Sequence, residues 1–141
     1  VDAELLALTD FLIVNETELA LVAGKTVNES DIKSVVGAAS TIVASGASNV
    51  IVTLGSNGAV AVGELLSKPA IIAGHSVDAT DSTGAGDCFV GALAARHTIS
   101  PKTFEDNLEY ANAAAALSVT KPGAGPSMYT ANEVETLLSR A

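Results

Sequence analysis

Cysteine is almost missing from this chain. Cys88 is the only one in 141 residues, so no disulfide can form within it. Basic residues are also scarce: seven Lys and Arg stand against sixteen Asp and Glu, a formal net charge of −9. That sign argues against a sequence-independent nucleic-acid binder. An anionic ligand would have to be held by local backbone N–H groups and a metal, not by the overall field. No apolar run reaches the ~18 residues of a membrane span. The opening Val1-Asp2-Ala3-Glu4 is acidic and has neither the basic region nor the apolar core of a signal peptide. The expectation is a cytoplasmic protein with no membrane and no nucleic-acid partner. Apolar residues, by contrast, make up 48% of the chain, which suits a buried sheet in one domain's length.

Strand and helix signals alternate. Glu4 to Leu8 reads as the end of a helix. Phe11-Leu12-Ile13-Val14 reads as a buried parallel strand. Asn15 suits the N-cap of a helix from Glu16 to Val22, and Gly24 its close. A second helix is expected from about Asp31 to Ala44, burying Ile32, Val35, Val36, Ala39, Ile42 and Val43. Asn49 to Leu54 is rich in β-branched residues and reads as a strand. Gly55-Ser56-Asn57-Gly58 is a tight turn into a strand from Ala59 to Val62. Lys68-Pro69 marks a surface turn, Ile71 to Ala73 a strand, and Ser76 to Ala79 a further strand piece. His75 reads as a loop histidine. Ser100-Pro101 starts a helix running from about Thr103 to Thr120, with Phe104, Leu108, Ala111, Ala115 and Val119 on one face. Its small run Asn112-Ala113-Ala114-Ala115-Ala116 allows close approach of another backbone or a flat ring. Asn132 to Ser139 makes a terminal helix. This alternation predicts an α/β fold with a mainly parallel sheet.

The chemistry gathers at Asp81-Ser82-Thr83-Gly84-Ala85-Gly86-Asp87, followed by a helix expected over Cys88 to His97. Small residues leave the N–H groups of a helix N-terminus uncovered. Such a terminus attracts anions, because its first N–H groups lack intrahelical partners and the macrodipole adds about half a positive charge. Asp87 would repel a phosphate bound there, so it reads instead as a base for whatever attacks that phosphate. An ordinary glycine-rich turn capping a helix is the plainer alternative. Cys88 reads as a core-facing helix residue, with a reactive thiol as the alternative.

This stretch resembles the D-T-x-G-A-G-D signature of the ribokinase-like (PfkB) family of carbohydrate kinases. Three further stretches resemble that family in the same order. Asn15-Glu16-Thr17-Glu18 is similar to its N-x-x-E motif. Asn15 would lie at a strand's carboxyl end, where open α/β sheets bind ligands. Glu18 could act on magnesium through water; a plain capping box is the alternative, and both roles can coexist. Thr53-Leu54-Gly55-Ser56-Asn57-Gly58 resembles the T-L-G-x-x-G loop along the ATP phosphates. There Thr53 could donate a hydroxyl, while Gly55, Ser56 and Gly58 bring backbone close; a hairpin turn is the alternative. Lys121-Pro122-Gly123-Ala124-Gly125-Pro126-Ser127 is similar to the ribokinase loop that helps hold a monovalent cation.

The resemblance implies a ribokinase-like three-layer α/β sandwich, carboxyl-terminal portion. It implies ATP, Mg2+ and K+ as cofactors and a small sugar as partner. Asp87 would be the base, with the N–H groups of Gly84, Ala85 and Gly86 stabilising charge on the transferring group. Asn112 would border the adenine, tight helix packing being the alternative. Asp81, the carbonyls of Thr83, Ser118, Lys121 and Gly123, and Ser127 would hold potassium. Tyr129 departs from the family, where proline is common nearby. The reaction implied is transfer of the ATP γ-phosphoryl to a sugar hydroxyl, for ribose the 5-hydroxyl; fructose and adenosine are alternative acceptors. The resemblance spans residues 1–141 but only the carboxyl-terminal half of a family member. The amino-terminal sugar-binding and lid half is therefore expected to be absent, the chain alone inactive, and self-association, as a homodimer for instance, favoured by exposed apolar surface. The rival from another class is a non-catalytic nucleotide-binding or interaction module.

Overall fold

The structure, a computed structural model, describes residues 1–99 and 102–140. Ser100 and Pro101, read above as a helix start, lie outside the described residues. Two compact units divide the chain, Val1–Ile71 and Ile72–Ala141. Four strands form one sheet in the order β1 (Phe11–Asn15), β2 (Asn49–Thr53), β3 (Gly58–Gly63) and β4 (Ala70–Ala73). β4 carries the chain out of the first unit.

In the first unit, α1 (Ala3–Ala7) is capped by Asp2, whose carboxylate accepts the Glu4 N–H at 2.9 Å. β1 and β2 pair in parallel, with Phe11 opposite Asn49 and Asn15 opposite Thr53. Parallel neighbours need a crossover, supplied here by α2 (Glu16–Ala23) and α3 (Ile32–Ala44). Gly24 closes α2 in the left-handed conformation, as the sequence implies, and Asp31, read above as the start of the helix, is the N-cap of α3. Val35, Ala39 and Ile42 are buried, and Ile32, Val36 and Val43 join the same cluster with Leu6, Val14, Leu19, Val50, Val52 and Val60. Each fully buried Val, Leu or Ile contributes about 1.5–3 kcal/mol. Val50, Ile51 and Val52 are buried on both faces of β2, which is why that strand is a continuous apolar run and not an alternating one. β2 and β3 pair antiparallel through the Gly55–Asn57 3-10 turn. The sheet is thus mixed: the expected parallel pairing is the β1–β2 pair, and the hairpin supplies the opposite sense.

The second unit is helical beyond β4. α4 (Ala85–Ile99), α5 (Phe104–Ser118) and α6 (Ala131–Ser139) meet around Cys88, Ala113, Ala114 and Val134. Small side chains let α5 lie close to α4, so Ala113 and Ala114 serve helix packing. Arg96 of α4 lies 3.7 Å from the centre of the Tyr110 ring and forms an ion pair with Glu135 of α6.

The largest departures from the sequence reading are at the start of α4 and at Ser76 to Ala79. α4 starts at Ala85, not Cys88, because the Cys88 N–H closes the first turn on the Gly84 carbonyl at 2.8 Å. Asp87 in that turn complements the positive helix end. Ser76 to Ala79 forms no strand: with one β-branched residue among four, it gains no ladder partner. No helix among the described residues is long and apolar enough to cross a membrane.

Candidate functional site

In the first unit, the parallel register brings Asn15 and Thr53 side by side at the carboxyl ends of β1 and β2. Asn15 and Glu18 form a reciprocal capping box. Glu18 N–H donates to Asn15 Oδ1, and Asn15 N–H donates to Glu18 Oε2, both at 2.9 Å. The box fixes the Glu18 carboxylate beside the strand end and engages only one of its oxygens. Thr53 Oγ1 donates to the Val14 carbonyl at 3.4 Å, a long bond that leaves its oxygen lone pairs available. Leu54 N–H donates to the Gly58 carbonyl at 2.8 Å and Asn57 N–H to the Leu54 carbonyl at 3.0 Å. These bonds curl Gly55 and Ser56 over the end of β2. The sequence-identified residues Asn15, Glu18, Thr53, Gly55, Ser56 and Gly58 therefore share one sheet edge, where parallel strands present ligands.

In the second unit, Asp81 is the hub. Its Oδ1 accepts the Thr83 hydroxyl at 2.6 Å and the Thr83 N–H at 2.9 Å. Its Oδ2 accepts the Gly123 N–H at 2.9 Å, joining the motif loop to the loop after α5. The Thr83 hydroxyl, then the Gly123 and Thr83 N–H groups, hold the carboxyl down to about 2. The Val119 carbonyl secures the same junction, accepting from Thr80 N–H at 2.6 Å and Asp81 N–H at 3.0 Å. Gly84 has φ +79°, and a Cβ on it would stand 3.0 Å from the Ala124 Cβ. Only glycine combines that backbone with that approach.

Asp87 sits exposed in the first turn of α4. Of the three N–H groups expected at the anion site, that of Ala85 donates to the Ser82 carbonyl at 3.2 Å. Those of Gly84 and Gly86 have no such partner among the described residues. Cys88 is buried; burial raises its thiol pKa, partly offset by the Ser118 hydroxyl, so it is a packing residue and not a thiolate. Asn112 is buried and its Nδ2 donates to the Ala73 carbonyl at 2.9 Å, which ties α5 to β4.

A monovalent cation suits a set of one carboxylate and several carbonyl oxygens. Asp81 Oδ2 accepts one hydrogen bond, from Gly123, and the carbonyls of Thr83, Ser118, Lys121 and Gly123 accept none among the described residues. The Ser127 hydroxyl donates to the Ala124 carbonyl at 2.6 Å, which leaves its oxygen to face a cation. Those residues therefore fit such an ion. Among the described residues no three His, Cys, Asp or Glu side chains gather as a metal cluster. A separate cavity of about 620 Å³ in this unit, lined by His75, Lys102, Asp106 and Glu135 among others, contains none of the motif residues.

Sequence reasoning missed the Val119 carbonyl and the Thr83 hydroxyl as the groups that hold Asp81. The second was readable, since Asp-x-Thr is a common turn in which a carboxylate accepts from two residues on. The first carries no sequence signal, because any residue supplies a carbonyl.

The profile of pfkB family carbohydrate kinases matches residues 1–131. A ribokinase of Haemophilus influenzae is 38% identical over 138 residues, covering 98% of this chain and 44% of its own length. A fructokinase of Zea mays is 42% identical over 71 residues, covering 46% of this chain and 22% of its own. In structure, the ribokinase of Arabidopsis thaliana, solved with ribose and ATP, superposes with a TM-score of 0.86. It is 34% identical, with 98% of this chain and 43% of that one covered. The ribokinase-like α/β fold expected from the sequence is thus the fold observed. The chain spans less than half the length of these relatives. A family match over nearly all of the chain, and a relative this similar across it, make one assignment: the chain belongs to the pfkB family of carbohydrate kinases.

Proposed function

We propose that this chain supplies the nucleotide side and the base of a kinase that moves the ATP γ-phosphoryl to a sugar hydroxyl. The observation that carries it is Asp87 in the first turn of α4, beside the uncovered N–H groups of Gly84 and Gly86. Asp87 would take the proton of the sugar hydroxyl as its oxygen bonds to the γ-phosphorus. The bond from that phosphorus to the β,γ-bridging oxygen breaks and ADP leaves. The Gly84 and Gly86 N–H groups would face the charge that develops on the transferring group, where fixed donors act most strongly. Asn15, Glu18, Thr53 and the backbone of Gly55, Ser56 and Gly58 would line the phosphates, and Glu18 would reach magnesium through water. When bound, magnesium neutralises phosphate charge. Asp81, Ser127 and the carbonyls of Thr83, Ser118, Lys121 and Gly123 would hold potassium, and Asn112 would brace the adenine side through packing.

The acceptor we favour is ribose at its 5-hydroxyl, on the strength of the Lys121 to Ser127 loop and the ribokinase relatives. Fructose is the nearest alternative, given the similarity to a fructokinase. Because the chain spans 44% of the Haemophilus ribokinase, the full reaction is proposed for this chain together with the remaining length, in one polypeptide or supplied separately. The short span also favours a second reading: a module that binds ATP without turnover.

The test is sugar-dependent ADP release with ATP, magnesium and potassium, on the chain with and without a ribokinase amino-terminal half. Release that needs both parts and vanishes in Asp87→Asn is expected. ATP binding with no release from either sample would overturn the kinase reading in favour of the binding module.

A further inference from the structure

Tyr129 plays no part in the chemistry above, yet it makes three separate contacts within the second unit. Its half-buried ring packs against the cluster of Cys88, Ala113, Ala114 and Val134. Its hydroxyl lies 2.7 Å from Thr120 Oγ1. That threonine already donates its single proton to the Leu117 carbonyl, also at 2.7 Å, so the tyrosine is the donor of the pair. The Lys121 ammonium lies 4.0 Å from the centre of the same ring, a cation–π distance.

The position is anchored from behind. Thr130, the next residue, caps α6 in a reciprocal box: its N–H donates to Glu133 Oε2 at 2.7 Å and its hydroxyl to the same oxygen at 2.8 Å. Tyr129 thus spans from the rigid start of α6 back to Thr120 and Lys121. It closes the intervening Pro122 to Met128 segment into a ring. That segment carries Gly123, whose N–H reaches Asp81, and Ala124, which lies against Gly84. Pro/Gly loops of this length do not hold one conformation by propensity; they need a clasp at the neck.

We infer that Tyr129 is a positioning residue that grips Thr120 and Lys121 and so keeps the Gly123 loop closed on Asp81, with the cation-holding oxygens in register. The second clause rests on the cation reading given above. A clasp on the neck of the loop acts on how often the loop opens, not on the stability of the helices behind it.

Amide hydrogen exchange at Gly123, read by NMR on the 141-residue chain, tests the clasp directly. Tyr129→Phe keeps the ring and loses the hydroxyl, so Gly123 should exchange about fivefold faster, the effect of one net hydrogen bond. Thr120→Val removes the same bond from its other end. The double variant should therefore fall well short of the product of the two single effects. The thermal unfolding midpoint of Tyr129→Phe should fall by only a few degrees, the effect of the same single bond. Potassium titration, followed on the Thr83 and Gly123 amide shifts, should show weaker affinity in Tyr129→Phe, by at most about fivefold. Unchanged Gly123 exchange in Tyr129→Phe would overturn the clasp. Faster exchange with unchanged potassium affinity would overturn its positioning role. An absent potassium response in the wild-type chain would instead remove the cation reading, and Gly123 exchange would still decide whether the tyrosine holds the loop.

Discussion

Gly84 and Gly86 lie two residues apart, and the same substitution at each should have opposite signs. Gly84 has φ +79°, and a Cβ there would stand 3.0 Å from the Ala124 Cβ and 3.3 Å from its Cα. The left-handed backbone costs an alanine about 1–2 kcal/mol. The contact with Ala124 adds about 1–2 kcal/mol more, because the backbone of the neighbouring loop must shift. Gly84→Ala should thus destabilise by about 2–4 kcal/mol. Gly86 lies in the first turn of α4 at ordinary φ, and a Cβ there meets nothing within 4 Å. Replacing a helical glycine with alanine in open space stabilises by roughly 0.5–1 kcal/mol. In a thermal melt of a chain this size, Gly84→Ala should lower the midpoint by roughly 10 °C and Gly86→Ala should raise it by a few degrees. Adding Ala124→Gly to Gly84→Ala should restore about 1 kcal/mol, the steric part, and leave the backbone part. Equal melting points for the two single variants, or no gain from Ala124→Gly, would refute the loop geometry argued here.

The other expectations are more local. Thr83→Val removes the largest cause of the depressed Asp81 pKa of about 2, so carbon-13 titration of that carboxyl should find it moved up toward the ordinary value near 3.8. Because the folded pKa is the lowered one, Asp81 stabilises the loop fully above that ordinary value and loses the contribution as pH falls toward 2. Thr83→Val should therefore shift acid loosening of the Gly123 amide to higher pH. Asn112→Leu removes the side-chain donor to the Ala73 carbonyl and should cost about 0.5–1.5 kcal/mol in denaturant unfolding, the net worth of one hydrogen bond. Asp87→Asn should lower turnover of the completed enzyme by about 10²–10⁴-fold while leaving the melting point nearly unchanged, since the side chain is exposed.

Much of the first unit was legible in the sequence because its signals are local. Asn15 caps, Gly24 stops, and Val35 to Val43 repeat at the helical period. The four motif stretches were also legible, and the strand register placed Asn15 beside Thr53 as their positions at strand ends imply. The start of α4 is not legible in the sequence because the glycines at 84 and 86 carry weak helix propensity. Only the folded loop shows the Cys88 N–H finding the Gly84 carbonyl. Ser76 to Ala79 forms no strand; a four-residue pattern says nothing about whether a neighbouring strand exists. The partners of Asp81 were half visible: Thr83 is two residues away and local, whereas Gly123 is 42 residues on and enters through its backbone. The Tyr129 to Thr120 bond also pairs side chains across a loop whose closure no periodicity encodes.

The junction at Asp81 rests largely on main-chain atoms: the Val119 carbonyl, and the N–H groups of Thr80, Asp81, Thr83 and Gly123. Such atoms persist whatever codon is read. Spelling changes at Val119 or Pro122 can accumulate without cutting these ties, provided none introduces proline at a donor. A gained or lost codon between Val119 and Gly123 is different, because it moves every donor past its acceptor at once. Among naturally arising variants of this chain, the segment should therefore drift in letters while staying constant in length.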